Sequence, residues 1–519
     1  MIVTMMISSL IIALSLFLIS LLGEHPKISN TLFMTGISVP AVIFYIYSQG
    51  APMNYMVGNW SKAMGIEVAL DSYNFLFIVA ELTVFLLVGI YSLSYFQNEK
   101  RNKFFILILL MHTGLLGGFL SRDLFNYFVL MEIAYVSTFI MVGLSGGLKA
   151  KKAAFRYLIF SFMASYLFLL SIGIIYLKTG YLNLELIGSN LEMTTEIKIA
   201  VGMAFSSLIL KAGIFPLYFW LPDAHSIPNT PVSALLSGVS IKGPVYGLVL
   251  FTVFFPTEHL LDVLLILAFI SIFFGVILGL RQINIKRLLA YSTVSQMGFV
   301  MIGIATLNIY GAIYYSVAHA IVKSGLFLAA GSLVDKDGTT DMKHLSYRKN
   351  YAIMVAVIAL SLGISGIWPS IGSFAKSCLA SELSGIWKVL FYGGGIATLL
   401  LMFKMNYYLW TGHTERTALF VKKDGGLNFN WLTKSTIPLL SAVLALGVGY
   451  VLLGDIKVLD YLYLVGAGAV FLTMVKTDLL EWDLPKGIKD ISKKVGTTNN
   501  FFAMIYMLTM LIFLIESIT

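Results

Sequence analysis

The sequence predicts an all-α membrane protein whose helices cross the bilayer many times. Hydrophobic residues fill 58% of the 519 positions and charged residues only 12%, which is more apolar surface than a water-soluble globule can bury. Apolar stretches of about twenty residues, long enough to cross ~30 Å of hydrocarbon, recur along the chain. The first, residues 2–22, lacks a basic start and a small-residue cleavage site, so we predict a retained span rather than a signal peptide.

These stretches predict about sixteen spans, each sized to the hydrocarbon layer. In chain order they cover residues 2–22, 31–49, 72–96, 104–120, 124–144, 157–177, 197–221, 230–255, 260–280, 288–306, 309–333, 351–384, 387–410, 435–453, 459–475 and 500–518. Few connections between them are long enough to fold into a soluble domain. No basic patch or low-complexity tract predicts nucleic-acid binding, so we expect the function to lie within the membrane.

Cysteine usage argues against redox chemistry in this chain. Cys378 is its one cysteine, whereas disulfides need two thiols and iron–sulfur clusters need several thiolates. No nucleotide-binding loop or cluster of cofactor ligands is present in the sequence. We therefore predict no cofactor, no metal and a non-redox role.

Lysines and arginines are concentrated in alternate connections, which predicts the orientation of the chain. The bases cluster at residues 100–103, 149–156, 281–287, 343–349, 416–423 and 486–494. Cytoplasmic connections are enriched in such residues, so these six are predicted to face the cytoplasm and the amino terminus to lie outside the plasma membrane. The net charge of +9 follows mostly from this bias and does not indicate an acidic partner.

Ionisable residues inside the spans carry the functional prediction. Glu132 lies within an apolar span, where a carboxylate facing lipid would be costly and needs a partner. Lys211, also within a span, is the natural partner because each charge would stabilise the other. We interpret the pair as a switchable proton site. The alternative is a static ion pair that ties two helices together.

Glycine and proline residues predict broken helices beside two lysines. Gly213 and Pro216 follow Lys211, and the segment SGIWPSIG, residues 365–372, precedes Lys376. Irregular backbone at membrane depth is tolerated only where protein or water satisfies its polar groups. Both breaks are therefore predicted to line cavities.

The two breaks also predict an internal repeat. Lys242 follows Lys211, and Lys404 follows Lys376, at similar separations. Matching broken spans in two halves of a chain indicate the inverted repeats of transporter folds. We divide the chain into amino-terminal helices, an input half, an output half and carboxy-terminal helices, which cover residues 1–103, 104–255, 260–410 and 411–519.

A histidine and a lysine lie between the two breaks. His319 and Lys323 are four residues apart and therefore share one helical face. The histidine could relay protons near neutral pH, or it could only form a hydrogen bond across helices. The spacing also suits a metal-binding pair, but lysine is a poor ligand, and we assign no metal.

Four segments carry a family resemblance: LFNYFVLMEIAYVSTFIMVGL, KAGIFPLYFWLPDAHSIPNTPVSALLSGVSIK, RQINIKRLLAYSTVSQMGF and HAIVKSGLFLAAGSL. They resemble the antiporter-like membrane subunits shared by Mrp cation/proton antiporters, respiratory complex I and group 4 membrane-bound hydrogenases. The segment GNWSKAMGIEVALDSYNFL makes the chain most similar to the Mrp D-type subunit. The resemblance implies a core of about fourteen helices in two inverted five-helix repeats with broken helices, followed by about two further helices.

The resemblance also implies roles for individual residues. Glu132 and Lys211 would form the charge pair that gates a half-channel. The other four match the central lysine of the eighth helix, the relay histidine and a lysine of the eleventh, and the exit lysine of the twelfth: Lys242, His319, Lys323 and Lys376.

The sequence departs from the family pattern in two places. Trp368 stands where relatives commonly have the first of two consecutive prolines. Two predicted spans, 459–475 and 500–518, extend beyond the usual core and are interpreted as accessory helices that dock a neighbouring subunit.

Together these features predict a proton-translocating antiporter-like subunit that works beside other membrane subunits, including homologous ones. Protons would enter from the cytoplasm near the first break, pass Lys242 and His319, and leave from Lys376. Sodium ions are a second candidate cargo of the complex, which would be Mrp-like or related to group 4 hydrogenases. Alternatives are a structural subunit whose charges only lock helices, a subunit of a quinone-reducing complex I, and a transporter that works alone.

Overall fold

The computed structural model describes residues 2–23, 25–97, 100–255, 257–412, 429–453 and 458–477. Helices dominate these ranges, and twelve segments within them are long and apolar enough to cross a membrane. The prediction of a multi-pass, helical membrane protein is therefore confirmed. The inverted repeats and the boundaries of the two halves stay predictions.

The amino-terminal third consists of six long helices. Asp123 caps the fifth by accepting a hydrogen bond from the Asn126 N–H at 2.7 Å, and the sixth ends at Gly180, whose φ of 77° suits glycine. The helices are α1 (Ile2–Leu22), α2 (Pro26–Ser48), α3 (Phe75–Tyr95), α4 (Arg101–Leu120), α5 (Leu124–Leu144) and α6 (Gly147–Thr179). The pair α1 and α2 packs against α4.

The middle of the chain contains the first predicted break. Its helices are α7 (Leu184–Asn190), α8 (Thr195–Ala212), α9 (Leu221–Ser226), α10 (Thr230–Leu235), α11 (Lys242–Phe254), α12 (Glu258–Leu280) and α13 (Ile285–Ala305). A π-helical turn, Leu236–Ser240, joins α10 to α11, so the two form one buried span. Such turns frequently occur at functional sites.

The last described helices surround a central one. They are α14 (Ile309–Asp337), α15 (Tyr351–Ser365), α16 (Ile371–Ala380), α17 (Gly385–Thr411), α18 (Phe429–Leu453) and α19 (Val458–Lys476). Helix α14 packs against α3, α10, α13, α15, α16 and α18, and almost all of its apolar length is buried. The polar side chains of α14 consequently face other helices rather than lipid.

Most predicted spans coincide with helices, and two do not run unbroken. Helix α8 covers the predicted span 197–221 only as far as Ala212, and the rest forms turns up to the start of α9. The predicted span 351–384 is divided between α15 and α16. The predicted span 157–177 lies within the longer α6, and 459–475 coincides with α19. The predicted span 500–518 lies outside the described residues.

One short β-hairpin departs from the purely helical prediction. Strands β1 (Met53–Met56) and β2 (Glu67–Leu70) pair antiparallel, with Met53 opposite Leu70 and Met56 opposite Glu67. All four residues of β2 are buried. The hairpin lies within a connection, where hydrophobic length gives no signal for it.

Two of the base-rich connections, 149–156 and 281–287, meet at one end of the helix bundle. Ser145 accepts a hydrogen bond from the Asn229 N–H at 3.1 Å. Arg156 and Arg287, from different connections, both bind the carboxylate of Asp223, at 2.7 and 2.9 Å. We call the end that holds these five residues the basic end.

Contacts between other connections define the opposite end. Arg122 forms an ion pair with Asp71 there, and Asn308 donates to the carbonyl oxygen of Cys378 at 2.7 Å. Of the six base-rich connections, 416–423 and 486–494 lie outside the described residues, and the predicted alternation between two ends stays a prediction. Which end faces the cytoplasm stays a prediction.

Candidate functional site

The first broken helix ends one residue after Lys211. Gly213 follows α8 with a φ of 66°, and a Cβ there would lie 2.4 Å from Cδ1 of Leu221. Both conditions favour glycine. The indole of Trp220 donates to the Leu210 carbonyl at 3.0 Å, so protein satisfies part of the freed backbone.

Lys211 forms an ion pair with Glu132 at this break. Its Nζ lies 2.6 Å from Oε1 of Glu132 and 2.8 Å from Oγ of Ser165, which donates to the same Oε1 at 2.5 Å. The ring centroid of Tyr135 lies 4.0 Å from the ammonium. The predicted pairing is present, in surroundings that leave the lysine side chain only 9% exposed. The gating role of the pair stays a prediction.

A small cavity adjoins the ion pair on the side of Lys211. Its volume is about 10 Å³, roughly the space of one water molecule, and Lys211, Ser161, His225 and Ser240 contribute to its wall. His225 is buried, and its Nδ1 has no hydrogen-bond partner among the described residues. The cavity therefore leads from the ion pair toward the π-helical turn that precedes Lys242.

Lys242 and His319 meet in the interior. Nζ of Lys242 lies 2.5 Å from Nδ1 of His319 and 3.3 Å from the Ser237 carbonyl oxygen. The two residues are 2% and 1% exposed. An ammonium at this distance can donate to the neutral imidazole, and transfer of that proton would leave a neutral amine and an imidazolium. The structure thus brings together two residues that the sequence placed 77 positions apart.

Lys323 continues the series on the same face of α14. It is fully buried and donates to the Leu289 carbonyl oxygen at 2.8 Å and to the hydroxyl of Ser292. Its ammonium is therefore satisfied by polar groups of α13. This geometry fits a charged or a neutral amine, both of which can use these oxygens.

A chain of neutral polar groups lies farther along α13 and α14. The hydroxyl of Tyr315 donates to Gln296, whose Nε2 donates to Oγ1 of Thr398 at 3.1 Å. The ring of Tyr315 lies 5.6 Å from that of Phe299. These residues lie on α13, α14 and α17, and the ring of Phe299 also lies beside Nζ of Lys376.

Lys376 lies at the second broken helix. It donates to the Ser365 carbonyl oxygen, the last residue of α15, at 2.9 Å, and its Nζ lies 4.4 Å from the ring centroid of Phe299. Gly366 follows with a φ of 82°, and a Cβ there would lie 2.5 Å from Cδ of the lysine. A cavity of about 520 Å³ opens beside Lys376, as predicted for a break at membrane depth.

Lys404 does not join this site. Its Nζ donates to the Leu280 carbonyl oxygen, where α12 ends near the basic end. Lys404 therefore lies away from the second break. The similar spacing of Lys404 and Lys376 in the sequence does not support the predicted repeat.

Sequence reasoning missed several buried ionisable residues. Glu81 and His112 form a pair with 2.6 Å between Oε1 and Nδ1, and both are fully buried within predicted spans. Both are ionisable residues within apolar spans, as Glu132 is, so the cost of burying a charge there also identifies them. In the sequence, His225 stands out only as part of the second segment that carries the family resemblance. Asp460 stands out only because it lies at the edge of the predicted span 459–475.

The chain is similar to known proteins along most of its length. The family described as NADH:quinone oxidoreductase/Mrp antiporter, TM, matches residues 121–400. The D subunit of the Na(+)/H(+) antiporter of Alkalihalophilus pseudofirmus is 32% identical over 414 residues, which are 75% of this chain and 82% of that protein. The N subunit of the NADH-quinone oxidoreductase of Desulforudis audaxviator is 31% identical over 432 residues, 78% of this chain and 85% of that one.

Solved structures share the fold. A chain in the Mrp complex from Dietzia sp. DQ12-45-1b superposes with a TM-score of 0.77 at 21% identity, covering 92% of this chain and 99% of that one. A chain of the membrane-bound sulfane sulfur reductase, an archaeal respiratory membrane complex, gives a TM-score of 0.77 at 21% identity, with coverage of 91% and 97%. The resemblance predicted from four sequence segments is confirmed.

Proposed function

The chain belongs to the NADH:quinone oxidoreductase/Mrp antiporter transmembrane family, and we propose that it conducts protons through its own buried charges. It is an antiporter-like membrane subunit of the kind found in Mrp and complex I assemblies. The proposal concerns which residues carry the proton and in which direction.

The observation that carries the proposal is the Lys242–His319 pair, which lies on the interior side of the Glu132–Lys211 ion pair. An ammonium in hydrocarbon costs at least ~2.5–3.5 kcal/mol on insertion scales, so it persists where it is paired or functional. A lysine that only locks helices is expected to pair with a carboxylate or with backbone carbonyl oxygens. Lys242 contacts one carbonyl oxygen and also a histidine, which can accept a proton from it.

The steps of the path follow from these contacts. A proton from the basic end reaches Lys242 past the water-sized cavity beside Lys211. It passes to Nδ1 of His319 and then toward Lys323, one helical turn away on α14. The polar chain that contains Gln296 leads toward Lys376, whose cavity lies on the side of the opposite end.

The Glu132–Lys211 pair sets the timing in this proposal. While the two are in contact, the charge of Lys211 is largely compensated by the carboxylate. If the pair separates, the uncompensated ammonium repels a proton held on Lys242 and favours its release. A neighbouring subunit would act by opening or closing the pair.

The protein is proposed to lie in the plasma membrane with its basic end in the cytoplasm and its amino terminus outside, since cytoplasmic connections are rich in lysine and arginine. Homologous membrane subunits are proposed as its neighbours. The relative from the Na(+)/H(+) antiporter of Alkalihalophilus pseudofirmus favours an Mrp-like parent complex, in which sodium is a candidate cargo of the assembly.

The test replaces Lys242 by methionine in the assembled complex. We expect proton transport in proteoliposomes to fall at least about a hundredfold, because positioned proton-transfer groups typically contribute 10²–10⁴-fold. A matched control is Lys434→Gln, since Lys434 forms a partly buried ion pair with Asp335 at 2.7 Å. The control should transport normally.

Two results would decide against this function. Unchanged transport by Lys242→Met in an intact complex would favour the structural subunit, whose charges only lock helices. Full activity of the purified chain without partners would favour the transporter that works alone.

A further inference from the structure

Asp460 reaches the second broken helix from α19, a helix beyond the core that the family resemblance implies. It lies in the first turn of α19, which begins at Val458. Its side chain contributes to the wall of the same 520 Å³ cavity as Lys376. The accessory helix therefore places an acid in the cavity of the predicted exit lysine.

Two hydrogen bonds fix the carboxylate of Asp460 at the break. Oδ2 accepts from the backbone N–H of Trp368 at 2.9 Å and from the hydroxyl of Ser373 at 2.7 Å. Proline has no N–H, so a proline at position 368 could not make the first bond. The two departures of this sequence from the family pattern, Trp368 and the added helix, are thus joined by one hydrogen bond.

One oxygen of the Asp460 carboxylate takes no part in these bonds. Among the described residues, both hydrogen bonds of Asp460 end on Oδ2, which leaves Oδ1 as an acceptor. Lys376 donates to the Ser365 carbonyl rather than to this carboxylate. Both side chains line the cavity, which is large enough for water, so cavity water can carry a proton between them.

The cavity extends from the break toward the opposite end. Ser381, which follows α16, and Lys388, in the first turn of α17, belong to its wall. Tyr392 and Tyr463 pack across the junction of α17 and α19, with ring centroids 5.6 Å apart. One wall is thus supplied by the accessory helix, and the polar groups of the cavity run from Lys376 outward.

We propose that Asp460 is the proton acceptor for Lys376, so that the added helix supplies the last protein group of the exit path. This inference rests on the proposed function. The ammonium of Lys376 releases a proton through cavity water to Oδ1 of Asp460, leaving a neutral amine and a neutral carboxylic acid. The acid then gives the proton to water at the opposite end and returns to the carboxylate.

The test uses the assembled complex in proteoliposomes. Asp460→Asn keeps an oxygen that can accept the Trp368 N–H but cannot take up the proton. We expect its proton transport to fall at least about tenfold, below the usual contribution of a positioned acid. Asp460→Glu should restore most of the transport. Asp335→Asn, which changes an acid outside the cavity, should leave it unchanged.

Chemical rescue separates a proton acceptor from a helix tether. Formate added on the side of the opposite end can enter the cavity and accept the proton in place of the missing carboxylate. We expect it to raise the transport of Asp460→Asn while leaving that of Lys376→Met low. A tether would respond to Glu or Asn by a change in thermal stability and would not respond to formate.

The outcomes distinguish this inference from the proposed function. If Lys376→Met abolishes transport and Asp460→Asn transports normally, the inference is wrong and the function stands. If Asp460→Asn loses transport but formate gives no recovery, Asp460 is structural. If Lys376→Met itself transports normally, the exit assigned to Lys376 is wrong, and the role of Asp460 is wrong with it.

Discussion

The two broken helices hold their lysines in different surroundings. Lys211 is in direct contact with a carboxylate, and the adjoining cavity has room for about one water molecule. Lys376 is bonded to a backbone carbonyl, and it shares the wall of a cavity of about 520 Å³ with Asp460. The first break is therefore closed and the second is open.

A broken helix therefore does not by itself determine whether its lysine pairs with a carboxylate or faces a cavity. At the first break, protein groups replace water around the freed backbone, and the ion pair offsets the cost of desolvation. At the second break, a cavity leaves space for hydration, and the acid comes from a helix outside the core. A closed break and an open break therefore coexist in one structure.

The largest expected difference concerns stability. Lys211→Met removes the partner of a mostly buried carboxylate, and breaking such a pair lowers the free energy of unfolding by up to about 3–5 kcal/mol. Among the described residues, Lys376 has no carboxylate in direct contact, so we expect Lys376→Met to cost about 1 kcal/mol for the lost hydrogen bond to Ser365. Thermal unfolding of both purified variants measures the difference. Equal losses would contradict the assignment of closed and open breaks.

Water access gives the second comparison. Gly395→Cys would place a thiol in the wall of the large cavity, since a Cβ at this position would lie 4.0 Å from Nζ of Lys376. Ser161→Cys would place one at the small cavity near Lys211. In a Cys378→Ser background, we expect a soluble thiol reagent to label the first at least about ten times faster, because only the larger cavity admits it. Similar labelling rates would show that the first break is also open to the reagent.

The smallest expected difference is that between the stability losses caused by alanine at two glycines of the breaks, Gly372 and Gly213. A Cβ at Gly372 would lie 1.9 Å from the Gly363 carbonyl oxygen, which is backbone, whereas one at Gly213 meets the movable side chain of Leu221. Overpacking typically costs ~1–3 kcal/mol, and Gly372→Ala should fall at the upper end. Gly213→Ala should combine the lower end with about 1 kcal/mol for the positive φ of Gly213, so Gly372→Ala should be about 1 kcal/mol worse. Thermal unfolding of the two variants tests this order, and the reverse order would mean that the second turn is the more adaptable one.

Much of the site could be predicted because burying a charge in a membrane is costly wherever it occurs. Glu132 and Lys211 were recognisable as charges in apolar spans, and the structure joins them at 2.6 Å. The breaks were recognisable because glycine and proline act on their own backbone. The buried pair of Glu81 and His112 carried the same signal and was overlooked, so it was within reach of the sequence.

Other features depend on contacts between distant segments. Asp460 lies 92 positions from Trp368, and no local pattern indicates that the two would share a hydrogen bond. Lys404 has the spacing of a repeat, yet its contact with α12 places it near the basic end. The spacing of residues in the sequence gives their distance along one helix. It does not give the rotation of the next helix about its axis or the depth of its residues in the membrane.

The sequence by itself determined the membrane class, the approximate spans and the positions of the two breaks, because hydrophobic length, charge burial and backbone restriction are local properties. Only the tertiary structure decided which charges meet, since helix packing sets those distances. It paired Lys242 with His319, left a large cavity beside Lys376 and brought Asp460 to that cavity. The contrast between the closed first break and the open second break arises from this packing.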